Sequence, residues 1–380
     1  MAAPRTGIRL LESDRSCLRA FNAGVSLHCH TQQSREILDF IPYYASRIPI
    51  VSGFYKREIE NHRLKNGEAI DFAKAYWNPP VTPRGVLDSE SEQIRRDLGL
   101  EPIVSITDHD DIRACAHLQV IHPEREIPVS LEWTVPYVNG FFHLGVHNLS
   151  RRDAGELWGA LLAYTRGHQE SGLGELLDTL ASNPETLIVL NHPMWDIEFA
   201  GERKHLELLK GFVAAYGRWI HAIEVNGYRS WAENKKAIEL ANQHGYPVVS
   251  GGDRHGHEAN AMLNLTSAST FSGFVGEIRH DRVSEVAIVP GYTEPLVMRM
   301  LETAADVLRY YPGYPKGQRF WTDRVFWTLE DGSVRPMSFY WGNGGPSWVK
   351  ASLAIMRMIG SRHFRPAMRL VFAREEGAGL

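Results

Sequence analysis

Histidine and carboxylate side chains recur at the ends of short apolar runs in this chain: His28-Cys29-His30, Asp108-His109, Glu132, His143, His192 and Asp253-Arg254-His255. Imidazole nitrogens and carboxylate oxygens are the donors that manganese, iron and zinc accept when no thiolate is offered. A shared metal site is the chemistry these residue types point to. On a strand, residues i and i+2 face the same side, so His28 and His30 present both imidazoles to one ion while Cys29 points away. Asp253 and His255 repeat that spacing, and Gly251-Gly252 before them permit close backbone approach to a ligand. Glu132 ends another apolar run, where a carboxylate is costly to bury unless it is paired or coordinated, and its two oxygens can bridge two cations. His143 and His147 also share one strand face, one of them being expected to be structural. Behind Asp108-His109, one of Asp110 and Asp111 is expected to cap the next helix, with His109 turned into the site. His192 precedes Pro193, which favours an extended or turn geometry.

Most of these groups follow runs such as Gly24–Leu27, Ile103–Ile106, Pro128–Leu131, Leu187–Leu190 and Pro247–Ser250 that read as buried parallel strands. Seven strand candidates fall around 25–30, 102–107, 127–134, 141–148, 187–191, 221–226 and 246–251, with helical patterns between most of them. Helices are predicted over 152–166 and 231–244, the second opening with Ser230 and Glu233 in capping-box register and ending before Gly245. Strands alternating with helices, with ligands at the strand ends, predict an α/β fold of the closed or nearly closed barrel type. The expected barrel domain spans residues 1–290. Residues 38–90 interrupt its rhythm with Tyr, Arg and Pro and read as an inserted lid over the mouth. Residues 291–380 read as an extension whose Trp321, Trp327, Trp341 and Trp348 serve packing rather than a ligand platform.

At 380 residues the chain accommodates one large α/β domain with an appendage, and a hydrophobic fraction of 43% with 23% charged residues is ordinary for a globular protein. A net charge of -4 argues against a broad surface for long nucleic acid. Cys17, Cys29 and Cys115 are too few and too scattered for a disulfide framework or a thiolate zinc site. No stretch approaches the roughly 18 apolar residues needed to span a bilayer, and no apolar segment of signal-peptide length opens the chain. The expectation is a cytoplasmic protein with no membrane association. The sequence is silent on oligomeric state.

Taken in order, His28-Cys29-His30-Thr31, Thr107-Asp108-His109, Leu131-Glu132, Asn191-His192-Pro193 and Gly252-Asp253-Arg254-His255 resemble the motifs of the PHP (polymerase and histidinol phosphatase) family of metal-dependent phosphoesterases, over roughly residues 24–258. The resemblance implies a distorted (β/α)7 barrel with two or three divalent ions at the C-terminal strand ends. It implies that His28, His30, Glu132 and Asp253 hold one ion, Glu132, His143 and His192 a second, and that His109 and His255 contribute to a third. Manganese is the favoured ion, with iron and zinc as alternatives. The implied reaction is hydrolysis of a small phosphate monoester or nucleotide-type substrate through metal-bound hydroxide, with Glu132 bridging and His109 or His255 near the leaving group. A non-phosphate metallohydrolase and a non-catalytic phosphate-binding module are the alternatives.

One position departs from the family pattern. An acidic residue is expected after Ser34, and Arg35 stands there. Either Glu36 reaches in from the next position, or the third ion is lost and the Arg35 guanidinium holds a phosphate in its place; the second reading is the one adopted from sequence. Arg229 and Arg254 are further candidate phosphate clamps.

Overall fold

The computed structural model describes residues 4–11, 15–47, 49–67, 71–167, 172–196, 199–329 and 331–359. The Trp348 side chain, read above as packing, lies outside the described residues, as does the end of the C-terminal extension. The strands are β1 (Arg5–Leu10), β2 (Ala23–Ser26), β3 (Glu36–Ile37), β4 (Ala75–Trp77), β5 (Glu101–Val104), β6 (Val129–Tyr137), β7 (Gly140–Leu149), β8 (Leu187–Leu190), β9 (Ala222–Asn226), β10 (Val248–Gly251), β11 (Met262–Thr266), β12 (Val283–Ile288), β13 (Val325–Thr328) and β14 (Val334–Pro336). The α-helices are α1 (Phe40–Arg47), α2 (Pro49–Asn66), α3 (Pro83–Leu98), α4 (Arg113–Ile121), α5 (Ala154–Gly167), α6 (Leu173–Ser182), α7 (Glu202–Tyr216), α8 (Trp231–His244), α9 (Phe271–Gly276), α10 (Leu296–Val307) and α11 (Ser347–Ile359).

All seven strand candidates are strands, but the fold is a mixed α/β arrangement in which none of the sheets closes into a barrel. One five-stranded sheet runs β1-β12-β11-β2-β5 and another runs β10-β9-β8-β7-β6. Among the described residues, two isolated bridges join them, Cys29 to Arg254 and His109 to Glu132. The expected continuous closure fails for a local reason: the segments that would close it carry the metal-donor candidates. Asp110 and Asp253 there adopt positive φ, +52 each, which turns the backbone out of ladder geometry.

The strictly parallel expectation also needs correction. β6 and β7 form an antiparallel hairpin, and β7 is antiparallel to β8. Glu132 and His143 therefore enter the site from within the β6–β7 hairpin, while His28, His30, His192 and Asp253 follow the ends of β2, β8 and β10. β8, β9 and β10 pair in parallel, as do β2 and β5. Residues of these strands, including Ala23, Ile103, Leu187, Ala222 and Val249, form a buried apolar cluster with Phe271 and Phe274 of α9.

Local signals behave as the chemistry dictates. The Ser230 hydroxyl accepts the Glu233 N–H while the Glu233 side chain accepts the Ser230 N–H, and Gly245 ends α8 at a φ of +72 that a side chain would resist. Residues 38–90 supply α1, α2, β4 and the start of α3. A third sheet, β14-β13-β4-β3, ties these residues to the C-terminal region through β4 and β13. Trp327 on β13 is buried. No helix among the described residues is long and apolar enough to cross a membrane.

Candidate metal centre

Glu132 lies at the middle of the histidine cluster with its side chain fully buried. Its neighbours on β6, Leu131 and Trp133, alternate into apolar core, so the strand's period of two sends the carboxylate alone into the polar centre. Its two oxygens face different sets of nitrogens. Oε2 is 3.0 Å from His28 Nε2 and 3.4 Å from His30 Nε2. Oε1 is 3.2 Å from His143 Nδ1 and 3.0 Å from His192 Nε2. Asp253 Oδ1 completes the first set, 3.7 Å from His28 Nε2 and 3.5 Å from His30 Nε2.

A third set is built around a residue that the motif reading did not adopt. Glu36, on β3, is buried, and its Oε2 lies 3.1 Å from both His109 Nε2 and His255 Nε2. Its Oε1 accepts the Ser34 hydroxyl at 2.6 Å. The carboxylate missing at position 35 is thus supplied one residue later, because pairing of Glu36 with Trp77 of β4 fixes which side chain of this segment faces inward. Arg35 is exposed, its guanidinium 5.1 Å over the Tyr76 ring. Of the two readings of this position, the geometry agrees with Glu36 reaching in from the next residue: its carboxylate, not the Arg35 guanidinium, lies beside His109 and His255. His109 Nδ1 also stands 3.3 Å from Glu132 Oε2, which links the third set to the first two.

The donor chemistry fits divalent ions. Two donors sharing one ion at about 2.1 Å are separated by roughly 3.0–3.4 Å along the edges of octahedral or tetrahedral polyhedra. The His28–His30 and His143–His192 nitrogen pairs, at 3.1 and 3.4 Å, fall in that range. Among the described residues, groups able to hold an ion are His28, His30 and Glu132; His109, Glu132 and His143; and His30, Glu36, His109 and His255.

The electrostatics show how strongly the cluster calls for positive charge. Burial opposes ionisation throughout, yet it is outweighed at Glu132 by His28 and His143 and at Glu36 by His109 and His255, so both carboxyls sit well below their usual range. Asp253 is held low in the same way by His28 and His30. Burial likewise opposes protonation of His109 and His255, but Glu36 raises them to about 10 and about 9. His30 and His143 drop to about 4, chiefly through burial. Protons and divalent ions compete for these nitrogens, so ion affinity must rise with pH.

Buried polar partners orient the donors. Glu224 Oε2 lies 2.9 Å from His28 Nδ1, which turns the His28 Nε2 lone pair towards Glu132, and Asn226 donates to Glu224 Oε1 at 2.5 Å. Asn191 donates to Glu132 Oε1 at 3.0 Å. Asn191 lies in a motif quoted above without a role, and Glu224 and Asn226 went unnoticed, although they share a strand face in an otherwise apolar run, which was a readable signal. The space beside Gly251 is filled by Glu224: a Cβ there would lie 2.6 Å from the Glu224 Cδ, so this glycine serves the orienting carboxylate rather than a ligand.

The other candidates separate by contact. Asp108 faces away from the donors, taking the Thr31 N–H and hydroxyl at 2.5 and 2.7 Å, and thereby fastens the loop that follows His30. Asp111 accepts the Arg113 N–H at 2.8 Å at the start of α4. His147 is structural, its Nδ1 2.8 Å from the Ser105 hydroxyl. His192 has a φ of +26 rather than the extended geometry expected before proline. Arg254 points away from the cluster to Glu90, 3.2 Å from its carboxylate. Arg229 remains at the centre, Nη2 3.7 Å from Asp253 Oδ2 and its guanidinium 3.6 Å over the Trp195 ring.

No protein-family model matches the chain, and no curated protein matches it. Among solved structures, it is similar to an amidohydrolase from Chromobacterium violaceum with bound sulfate and no metal, at 17% identity over 61% of this chain and 87% of that one, with a TM-score of 0.36. PsfC from Pseudomonas syringae matches at 16% identity over 56% of this chain and 86% of its own, with a TM-score of 0.37. A protein from Bifidobacterium adolescentis described as a metal-dependent phosphoesterase matches at 14% identity over 48% of this chain and 85% of its own, with a TM-score of 0.33.

Proposed function

We propose that this protein is a metal-dependent hydrolase of small phosphate monoesters or nucleotide-type substrates, acting in the cytoplasm with manganese as the favoured ion. The observation that carries the reading is the divided environment of Glu132, each oxygen facing its own set of imidazole nitrogens. On this reading His28, His30, Glu132 and Asp253 hold one ion, Glu132, His143 and His192 a second, and Glu36, His109 and His255 a third. Bound ions would supply Lewis acidity there, lowering the pKa of water from about 15.7 towards 7 at favourable sites and neutralising phosphoryl oxygens.

The chain's own residues position the rest. Arg229 Nε is buried without a hydrogen-bond partner among the described residues, so this planar cation, held flat on Trp195, has donor capacity for a phosphate oxygen. Asn191 and Glu224 keep Glu132 and His28 in their facing geometry. The His109 and His255 side chains are 16% and 15% exposed, against 1% for His28, so the third set forms the open side of the centre. Trp77 of β4, its ring 5.7 Å from that of His255, borders the opening and supports a covering role for residues 38–90. The same reading treats β2 and β5 through β10 as the seven strands of a distorted barrel left open between its two sheets, which the two isolated bridges join.

The test is elemental analysis of protein from manganese-, iron- and zinc-supplemented cells, followed by a panel of phosphate monoesters, phosphodiesters and carboxylic amides. Two or more ions and turnover confined to phosphate esters is the expected result. Asp253→Ala should lose occupancy, and Glu132→Gln should lose at least one ion and most activity. Full activity in Glu132→Gln would refute the bridging role; turnover of amides alone would replace the phosphate assignment; an ion-free parent would leave a non-catalytic binding module.

A further inference from the structure

The loop carrying Asp253 and His255 leaves its strand before either donor is reached. β10 ends at Gly251, and β11 begins only at Met262. Two carboxylates hold the amides in between. Glu258 Oε1 accepts the His255 and Gly256 N–H groups, both at 3.2 Å. Asp306 Oδ2, from the last turn of α10, accepts the His257 N–H at 2.6 Å. The Tyr311 hydroxyl donates to Asp306 Oδ1 at 2.9 Å, and the Tyr311 ring lies 5.7 Å from that of His257. Gly256 is required between the two acids: a Cβ there would collide with Glu258 Oε2 and lie 2.7 Å from Asp306 Oδ2.

Two partly buried carboxylates thus converge on three consecutive amides of the loop. Their effect is specific. With the amides of residues 255–257 held, His255 Nδ1 lies 2.9 Å from the Asp253 carbonyl and acts as donor, which fixes the ring so that Nε2 is the nitrogen beside Glu36 Oε2, at 3.1 Å.

We propose that Asp306, with Glu258, is a latch through which α10 sets His255 for ion binding, so that the region beyond the sheets governs how tightly the third donor set holds its ion. Asp306 touches no donor atom and acts as a positioning residue. The inference rests on the metal-centre reading above and adds to it a dependence on α10.

The experiment compares parent, Asp306→Ala and Asp306→Asn, all full length and stripped with chelator, by manganese titration and by amide hydrogen exchange of the stripped proteins. Asparagine retains the contacts, its amide oxygen on the His257 N–H and its amide nitrogen donating to the Tyr311 hydroxyl. Removing a partner that orients a ligand typically costs 10–100-fold in ion affinity. The expected result is a weakest ion about tenfold or more weaker in Asp306→Ala, the tighter ions unchanged, faster exchange at the His257 amide, and near-parental behaviour in Asp306→Asn. Parental affinity in Asp306→Ala, equal weakening of every ion, or an asparagine variant as weak as alanine would each overturn the latch. A parent that binds no ion overturns the metal reading and the latch's role with it, a result the Asp306 variants alone could not produce.

Discussion

Replacing Glu36 by glutamine isolates the third donor set. The carboxylate divides its work: Oε1 takes the Ser34 hydroxyl at 2.6 Å, and Oε2 faces His109 Nε2 and His255 Nε2 at 3.1 Å each. A glutamine oxygen can fill only one of these places. Kept on Ser34, it turns an NH2 group without a lone pair towards the two imidazoles. Reversed, it leaves the Ser34 hydroxyl to rotate onto His30 Nδ1, 3.3 Å away, and still lacks the negative charge. A hydrogen bond to a charged group contributes about 1.5–3 kcal/mol, and each 1.4 kcal/mol is tenfold in a binding constant. Loss of that interaction therefore predicts ion binding at the third set weaker by about 10–150-fold. Chelator-competition titration of parent and Glu36→Gln measures it, with stoichiometry at saturating ion as the second readout. An unchanged weakest constant together with unchanged stoichiometry would refute the assignment of Glu36 as a ligand. Arg35→Asp is the matched control: because residue 35 is exposed over Tyr76, a carboxylate there should add no ion.

Two further outcomes follow from contacts at and away from the centre. Arg229→Lys loses both the stacking on Trp195 and the planar fork, so KM for a phosphate monoester should rise about tenfold with ion stoichiometry unchanged; an unaltered KM removes Arg229 from substrate binding. His221 is held at a pKa of about 3 by burial and then by Arg279 and His280, and its Nδ1 accepts the Ile188 N–H at 2.9 Å. Its folded-state pKa lies below that of the unfolded chain, so the unfolded state binds the extra proton and stability falls as pH drops from about 6.5 towards 3, by at most about 1.4 kcal/mol per pH unit. His221→Gln should flatten the dependence of Tm on pH in that window; an equally steep profile would remove His221 as its source.

The sequence by itself determined the local parts of this protein. Period-two spacing put His28 with His30, apolar runs located seven strands, and Ser230, Glu233 and Gly245 marked both ends of α8. Each of these rests on interactions between residues a few positions apart, and such interactions are written directly in the order of side chains. What only the tertiary structure decided depends on segments distant in the chain. Glu36 becomes a donor because β3 pairs with β4, and β4 with β13, 248 positions apart at Trp77 and Val325. β7 runs antiparallel because it folds back on β6, and the two sheets stay open because Asp110 and Asp253 leave the ladder to aim their neighbours inward. Asp306 meets His257 only when α10 docks. A carboxylate's chemistry is visible in its name, but which atoms it faces is set by pairing free energies summed over the whole fold, and no local pattern carries that sum.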